Sequence, residues 1–171
     1  AKTALAALYT LRQQNLLKLN DTDIQKGFAN AVNPARLELL CNAPVVLLDG
    51  AHNPNGIEAL KNAIKKFLPN EKITCIMGML ADKDIDNSIS LLDGIFDRVF
   101  TVPVKNPRAL SSEKLAEKFK SRYKNVFCFD SAEKAFDVAF NDARQDSGAI
   151  VVCGSLYLAG EIRPYIIDSV K

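Results

Sequence analysis

Three short apolar runs, Val45–Leu48, Ile73–Met77 and Ala149–Cys153, are rich in β-branched residues and lack regular polar alternation. A strand wetted on one face alternates; a run that is apolar almost throughout suits a strand covered on both faces, as in a parallel sheet between helices. None of the runs approaches the roughly 20 apolar residues needed to cross a bilayer, and the first residues lack the charge-then-apolar pattern of a signal peptide. A soluble, cytoplasmic α/β protein with no membrane partner is the expectation.

The segments between these runs carry helical periodicity. From about Ile57 to Phe67, the residues Ile57, Leu60, Ile64 and Phe67 recur on one face while Lys61 and Lys65 point away. Ser112 to Arg122 repeats the pattern with Leu115 and Phe119 inward, and a further helix is expected near Asp84–Leu92. Strands are expected over Arg98–Val102 and Val126–Phe129. Asp130-Ser131-Ala132-Glu133 has the spacing of a capping box ahead of a helix that buries Ala132, Phe136, Ala139 and Phe140. Leu156 to Ile167 closes the chain as a helix that Pro164 is expected to bend. The alternation predicts a Rossmann-like α/β fold, a mainly parallel sheet of five to six strands flanked by helices.

Ahead of Asn33–Pro34 the character differs. Ala1 to Gln14 reads as an Ala- and Leu-rich helix, a polar break follows at Asn20–Asp21, and a short helix runs from about Asp23 to Ala29. This stretch is too short to own a core. Residues 1–33 are therefore expected to be the tail of another unit with its linker, and residues 34–171 the α/β domain.

The 171 residues carry a net charge of +2 with both signs interspersed, and no basic run tracks a nucleic-acid backbone. Cys41, Cys75, Cys128 and Cys153 match neither a zinc motif nor a CxxC pair. Three of them fall in expected strands, where cysteine serves as a small buried hydrophobe, so reduced core thiols are expected.

Ligands of such sheets sit beyond the carboxyl ends of the strands. The first apolar run ends in Asp49-Gly50-Ala51-His52-Asn53-Pro54-Asn55-Gly56, which crowds a carboxylate, the only histidine and two carboxamides into one turn. The same residue types also build turns and helix caps, and Pro54 suits a first helical turn. After the second run comes Gly78-Met79-Leu80-Ala81-Asp82-Lys83-Asp84, where glycine admits a ligand to the backbone and Lys83 orients a charged group, unless the aspartates only cap a helix. Lys105 and Arg108 lie in a further loop on that edge. The last run ends in Gly154-Ser155, a hydroxyl and backbone amides at a helix N-terminus, suited to an anion or to a plain cap. The chain contains neither a GxxxxGK[ST] phosphate loop nor a GxGxxG fingerprint, and no triad is assembled around its one histidine.

Taken together, these segments resemble the C-terminal domain of the Mur ligase superfamily, and within it the folylpolyglutamate synthase and dihydrofolate synthase family. The resemblance rests on Asp49-Gly-Ala-His-Asn-Pro-Asn-Gly56, on Met77-Gly-Met-Leu-Ala-Asp-Lys-Asp84, on Pro107-Arg-Ala-Leu110 and on Gly154-Ser-Leu-Tyr157, in that order. Where the family's linker carries Trp-Pro-Gly-Arg, this chain has Asn33-Pro34-Ala35-Arg36.

The resemblance implies an ATP- and Mg2+-dependent ligase. ATP phosphorylates a carboxylate of folate or dihydropteroate to an acyl phosphate, and the amine of glutamate attacks it to give an amide and release phosphate. It implies that Arg36 and Asp49 contact ATP, that His52 lies by the γ-phosphate or the incoming glutamate, and that Asn53 and Ser155 help to bind substrate. The phosphate loop, most metal ligands and the adenine-binding asparagine would belong to the protein's own central ATPase domain, upstream of Ala1. The first residues would be that domain's last helix, and the 171-residue chain alone is expected to be inactive. Two other readings remain open: a different Mur-superfamily amino-acid ligase, and a non-catalytic Rossmann-like binding module.

Overall fold

The computed structural model describes residues 2–171 and divides into two compact units, one up to Pro34 and one spanning Ala35–Lys171. The first unit holds α1 (Lys2–Gln13) and α2 (Asp21–Ala29). The helix expected over residues 1–14 is thus seen from Lys2 on, and Ala1 lies outside the described residues. The α2 helix begins two residues earlier than its apolar pattern suggests, because Asn20 and Asp23 cap each other's backbone amides in a capping box.

The second unit is built from β1 (Glu38–Asn42), β2 (Val45–Leu48), α3 (Pro54–Phe67), β3 (Ile73–Met77), α4 (Ile85–Leu91), β4 (Arg98–Thr101), α5 (Ser112–Lys120), β5 (Val126–Cys128), α6 (Ala132–Asp146), β6 (Ala149–Cys153) and α7 (Leu156–Ser169). Its sheet has six strands in the order β1-β2-β6-β3-β4-β5. All neighbours are parallel except β1, which pairs antiparallel with β2 through the two-residue loop Ala43–Pro44. The fold is the mainly parallel α/β sheet that the apolar runs predict.

Burial follows strand position. The β3 and β6 strands are buried at every residue, as expected of central strands covered on both faces. On one face, Ile57, Leu60 and Ile64 of α3, Ile85 and Ile89 of α4, and Leu115 and Phe119 of α5 pack over Cys75, Met77 and Val151. On the other, Phe136 and Ala139 of α6 and Leu158, Ile162 and Ile166 of α7 pack over Val46, Leu48, Ile150 and Val152. Each fully buried Leu, Ile or Phe here contributes about 1.5–3 kcal/mol of transfer free energy.

Several local expectations are corrected. Phe67 is 65% exposed, and at this end of α3 it is the next residue, Leu68, that is buried in the core instead. Asp130 does not cap α6; Ser131 does, by accepting from the Lys134 amide, and Asp130 instead pairs with the Lys134 ammonium. Phe140 is only partly buried. The four thiols are free, but only Cys75 and Cys153 are core residues; Cys128 is exposed because β5 is an edge strand. Burial pushes the Cys75 thiol well above its ordinary range, which keeps it protonated. No helix among the described residues is long and apolar enough to cross a membrane.

Candidate functional site

The loops after β2 and β6 leave toward opposite faces of the sheet, because α3 packs on one face and α7 on the other. Such a divergence opens a crevice at the carboxyl ends of neighbouring strands. The candidate residues gather there.

Asp49 ends β2 and is almost wholly buried. Its Oδ2 accepts from the Leu37 amide and its Oδ1 from the Ala51 amide, both at 2.7 Å. The Gly50 amide in turn donates to the Ala35 carbonyl at 2.8 Å. The carboxylate therefore ties the backbone just after Arg36 to its own turn, and the Gly50 amide ties the residue just before it, while neither holds the guanidinium itself. Ala35 and Leu37 both have left-handed backbones, with φ of 55° and 47°. That conformation costs a non-glycine residue about 1–2 kcal/mol, which explains a glycine at position 35 in the resembling linker motif. Here the Ala35 methyl is buried against the α6–α7 side of the core. Arg36 itself is exposed, makes no ion pair among the described residues, and passes over Gly50, where a Cβ would lie 3.0 Å from its Nη1.

His52 follows two residues on. Its Nδ1 lies 2.8 Å from the Gly50 carbonyl, which can only accept, so Nδ1 carries the proton and Nε2 is left free as an acceptor. Asn53 caps α3: its Oδ1 accepts from the Gly56 amide at 2.8 Å, and Pro54 occupies the first turn. The carbonyl oxygen of Asn53 thus serves the helix, and its amide group alone remains for another partner.

Ser155 is buried and caps α7 through its Oγ, which accepts from the Tyr157 amide at 3.1 Å. Neither α3 nor α7 carries an acidic residue in its first turn, so both helix N-termini keep their partial positive charge. Gly78 does not admit a ligand. A Cβ there would meet the Val102 carbonyl at 2.8 Å, so its glycine serves strand packing. Asp84 caps α4, and Asp82 pairs with Arg108 at 3.0 Å and lies 3.8 Å from Lys83.

A cleft of about 420 Å³ is lined by Arg36, Asp49, His52 and Asn53. A smaller one of about 90 Å³ is lined by His52, Lys83, Arg108, Ser155 and Tyr157. His52 forms the wall common to both, so all five candidate residues, distributed over 120 positions of sequence, line two adjoining hollows. A third cleft of about 340 Å³ lies at the opposite end of the sheet, beside Pro44, Glu71 and Arg144, and contains none of them.

Sequence reasoning missed Glu38 and Arg163. The Arg163 guanidinium holds Glu38 through Nη2–Oε1 at 2.6 Å and Nε–Oε2 at 2.9 Å, and Glu38 Oε2 also accepts from the Ala35 amide at 2.9 Å. No local signal reports a pair 125 residues apart. Hydrogen bonding to Arg163 holds the Glu38 carboxyl below its ordinary value of 4.5. A depressed folded pKa stabilises the fold above the unfolded value and ceases to do so as pH falls through the folded one. The stability gap between the chain and its Glu38→Gln variant is therefore expected to be constant near neutrality and to shrink below about pH 4.5, as urea titrations at stepped pH will read. A gap that persists undiminished to about pH 3 excludes this linkage.

The family model described as Mur ligase, glutamate ligase domain, matches residues 35–156. The chain belongs to this family. All five candidate residues fall within the stretch that matches the Mur ligase glutamate ligase domain. The chain is 32% identical over 166 residues to the dihydrofolate synthase/folylpolyglutamate synthase of Escherichia coli (strain K12), covering 97% of this chain and 37% of that protein. Escherichia coli FolC in complex with DHPP and ADP superposes with a TM-score of 0.86 at 31% identity, covering 99% of this chain and 39% of that one. The bifunctional folylpolyglutamate synthase/dihydrofolate synthase of Yersinia pestis c092, complexed with AMPPNP and Mn ion, superposes with a TM-score of 0.82 at 30% identity, covering 95% and 38%. This Mur ligase domain thus spans less than two fifths of the length of the relatives it matches.

Proposed function

We propose that this chain is the glutamate-receiving, ATP-closing domain of an ATP-dependent folylpolyglutamate synthase, working in the cytoplasm against its own N-terminal ATPase domain. The observation that carries the reading is the pair of adjoining hollows that share His52, one presenting the unpaired Arg36 and the other the Ser155 helix end. The complexes of the relatives with ADP, AMPPNP and DHPP support a nucleotide and a pterin substrate for the whole enzyme.

In this reading Arg36 offers its guanidinium to the nucleotide phosphates, where a planar fork of donors neutralises and orients charge. The smaller hollow takes glutamate: Lys83, Arg108 and the α7 N-terminus favour its carboxylates, with the Ser155 hydroxyl as a further polar contact, while the Asn53 amide group meets the substrate from the larger hollow. His52, between the two, has Nε2 free to receive a proton from the attacking amine once the folate or dihydropteroate carboxyl has been activated. The work is positioning and charge stabilisation, without a covalent bond to the protein. Among the described residues, no group of three or more His, Cys, Asp or Glu side chains converges to hold a metal ion. In this reading magnesium, like the phosphate loop, is held mostly by the ATPase domain.

The test is turnover by the intact ligase. ADP release is expected to require both a folate or dihydropteroate acceptor and glutamate, and Arg36→Ala is expected to raise the KM for ATP about tenfold with the KM for glutamate unchanged. Turnover with cell-wall precursors and their amino acids, but not with folates, would favour a different Mur ligase. No ADP release with either set would favour a binding module.

A further inference from the structure

Arg36 owes its position to side chains outside its own loop. The two residues that flank it are left-handed, a conformation that a free chain of Ala and Leu leaves. The flanking amides are each held by a carboxylate: Leu37 by Asp49 at 2.7 Å and Ala35 by Glu38 at 2.9 Å. Asp49 is anchored in the sheet, where its own amide donates to the Val152 carbonyl at 2.9 Å. Glu38 lies at the start of the edge strand β1 and depends on Arg163 of α7, whose guanidinium grips both of its oxygens. This pair is only partly solvent-exposed, 32% for Arg163 and 16% for Glu38, so it is less screened than a surface bridge. The chain of contacts runs from α7 through Glu38 to the Ala35 amide and so to Arg36.

Resting on the reading that Arg36 meets the nucleotide phosphates, we infer that Glu38, gripped by Arg163, is a positioning residue for Arg36. It holds the loop in its left-handed form and thereby sets the affinity for ATP without touching it. Two features separate this from a merely structural bridge. Glu38 bonds directly to the backbone beside Arg36, and Arg36 has no ion-pair partner among the described residues to hold it if the loop relaxes.

The experiment is a double-mutant cycle in the intact ligase, read as the KM for ATP against kcat and the KM for glutamate. Glu38→Ala is expected to raise the KM for ATP about fivefold, with kcat and the KM for glutamate little changed. In an Arg36→Ala background the same substitution is expected to add nothing, since the residue through which it acts is gone. Glu38→Gln keeps an acceptor for the Ala35 amide and Arg163→Lys keeps a charge without the fork, so both are expected to fall between wild type and Glu38→Ala. These milder variants carry the same test if Glu38→Ala does not fold. Effects of Glu38 and Arg36 that multiply independently would overturn the inference. So would an unchanged KM for ATP in folded Glu38 variants while Arg36→Ala remains impaired. An unchanged KM for ATP in Arg36→Ala itself would overturn the nucleotide reading, and this inference with it.

Discussion

Asp49→Asn is expected to cost the chain about 4 kcal/mol of folding stability, although it exchanges a single oxygen for a nitrogen. Both carboxylate oxygens accept a backbone N–H at 2.7 Å, from Leu37 and from Ala51, and the residue is 8% exposed. Asparagine offers one acceptor oxygen and one NH2 group. However it turns, one backbone donor faces another donor in a site with little water. A hydrogen bond to a charged group is worth about 1.5–3 kcal/mol, and leaving a buried donor unpaired adds about 1–3 kcal/mol. For a chain of this length a 4 kcal/mol loss lowers the melting temperature by about 8–16 °C. Asp49→Ala is expected to be no milder, since it leaves both amides unpaired. Urea or thermal unfolding of the ligand-free chain is the measurement. A loss below about 1 kcal/mol for Asp49→Asn would mean that the clasp holds little, and that the carboxylate matters only to a bound ligand.

Gly154→Ala is expected to be as damaging for a different reason. Gly154 has φ of 103°, a conformation open essentially to glycine alone. A Cβ there would lie 2.7 Å from the Gly78 carbonyl and 2.7 Å from Met77 Cγ. The carbonyl belongs to the backbone at the end of β3 and cannot swing aside as a side-chain tip can. The conformational cost of about 1–3 kcal/mol and the overpacking cost of about 1–3 kcal/mol add to about 4 kcal/mol. Gly94→Ala separates the two costs, because Gly94 also has positive φ, 69°, but nothing lies within 4 Å of its added Cβ. It is expected to lose only about 1 kcal/mol. Equal losses at the two glycines would show that the contact with β3 contributes nothing. Because Gly154 also donates its amide to the Ala51 carbonyl at 2.9 Å, its displacement moves Ser155 relative to His52. Crystallography of any folded Gly154 variant will read that shift.

Much of the unit was legible from local pattern. The runs at Val45, Ile73 and Ala149 became three of the four inner strands, and the two at the centre, β3 and β6, are buried throughout because a strand covered on both faces writes itself as consecutive apolar residues. Asn53-Pro54 marked the start of α3 through cap chemistry that acts within one turn. The polar residues at strand ends gathered because parallel strands deliver their carboxyl ends to one edge. The residues that went astray did so for non-local reasons. Leu39–Cys41 has no alternation to betray a strand, and β1 exists because β2 offers it an edge to pair with. The sequence around Phe67 cannot report that Leu68 rather than Phe67 enters the core, nor that around Cys128 that β5 is an edge.

The sequence by itself therefore determined the layered α/β architecture, the family resemblance and the identity of the groups at the strand ends. Those depend on periodicity, turn chemistry and motif spacing, which operate over a few residues. Only the tertiary structure decided what those groups do to one another. Asp49 turned out to hold the backbone around Arg36, His52 to be shared by two hollows, and Glu38 to be gripped by a residue of the last helix. Each of these depends on contacts between distant segments, created when the sheet closes around β6, and no window of neighbouring residues contains them.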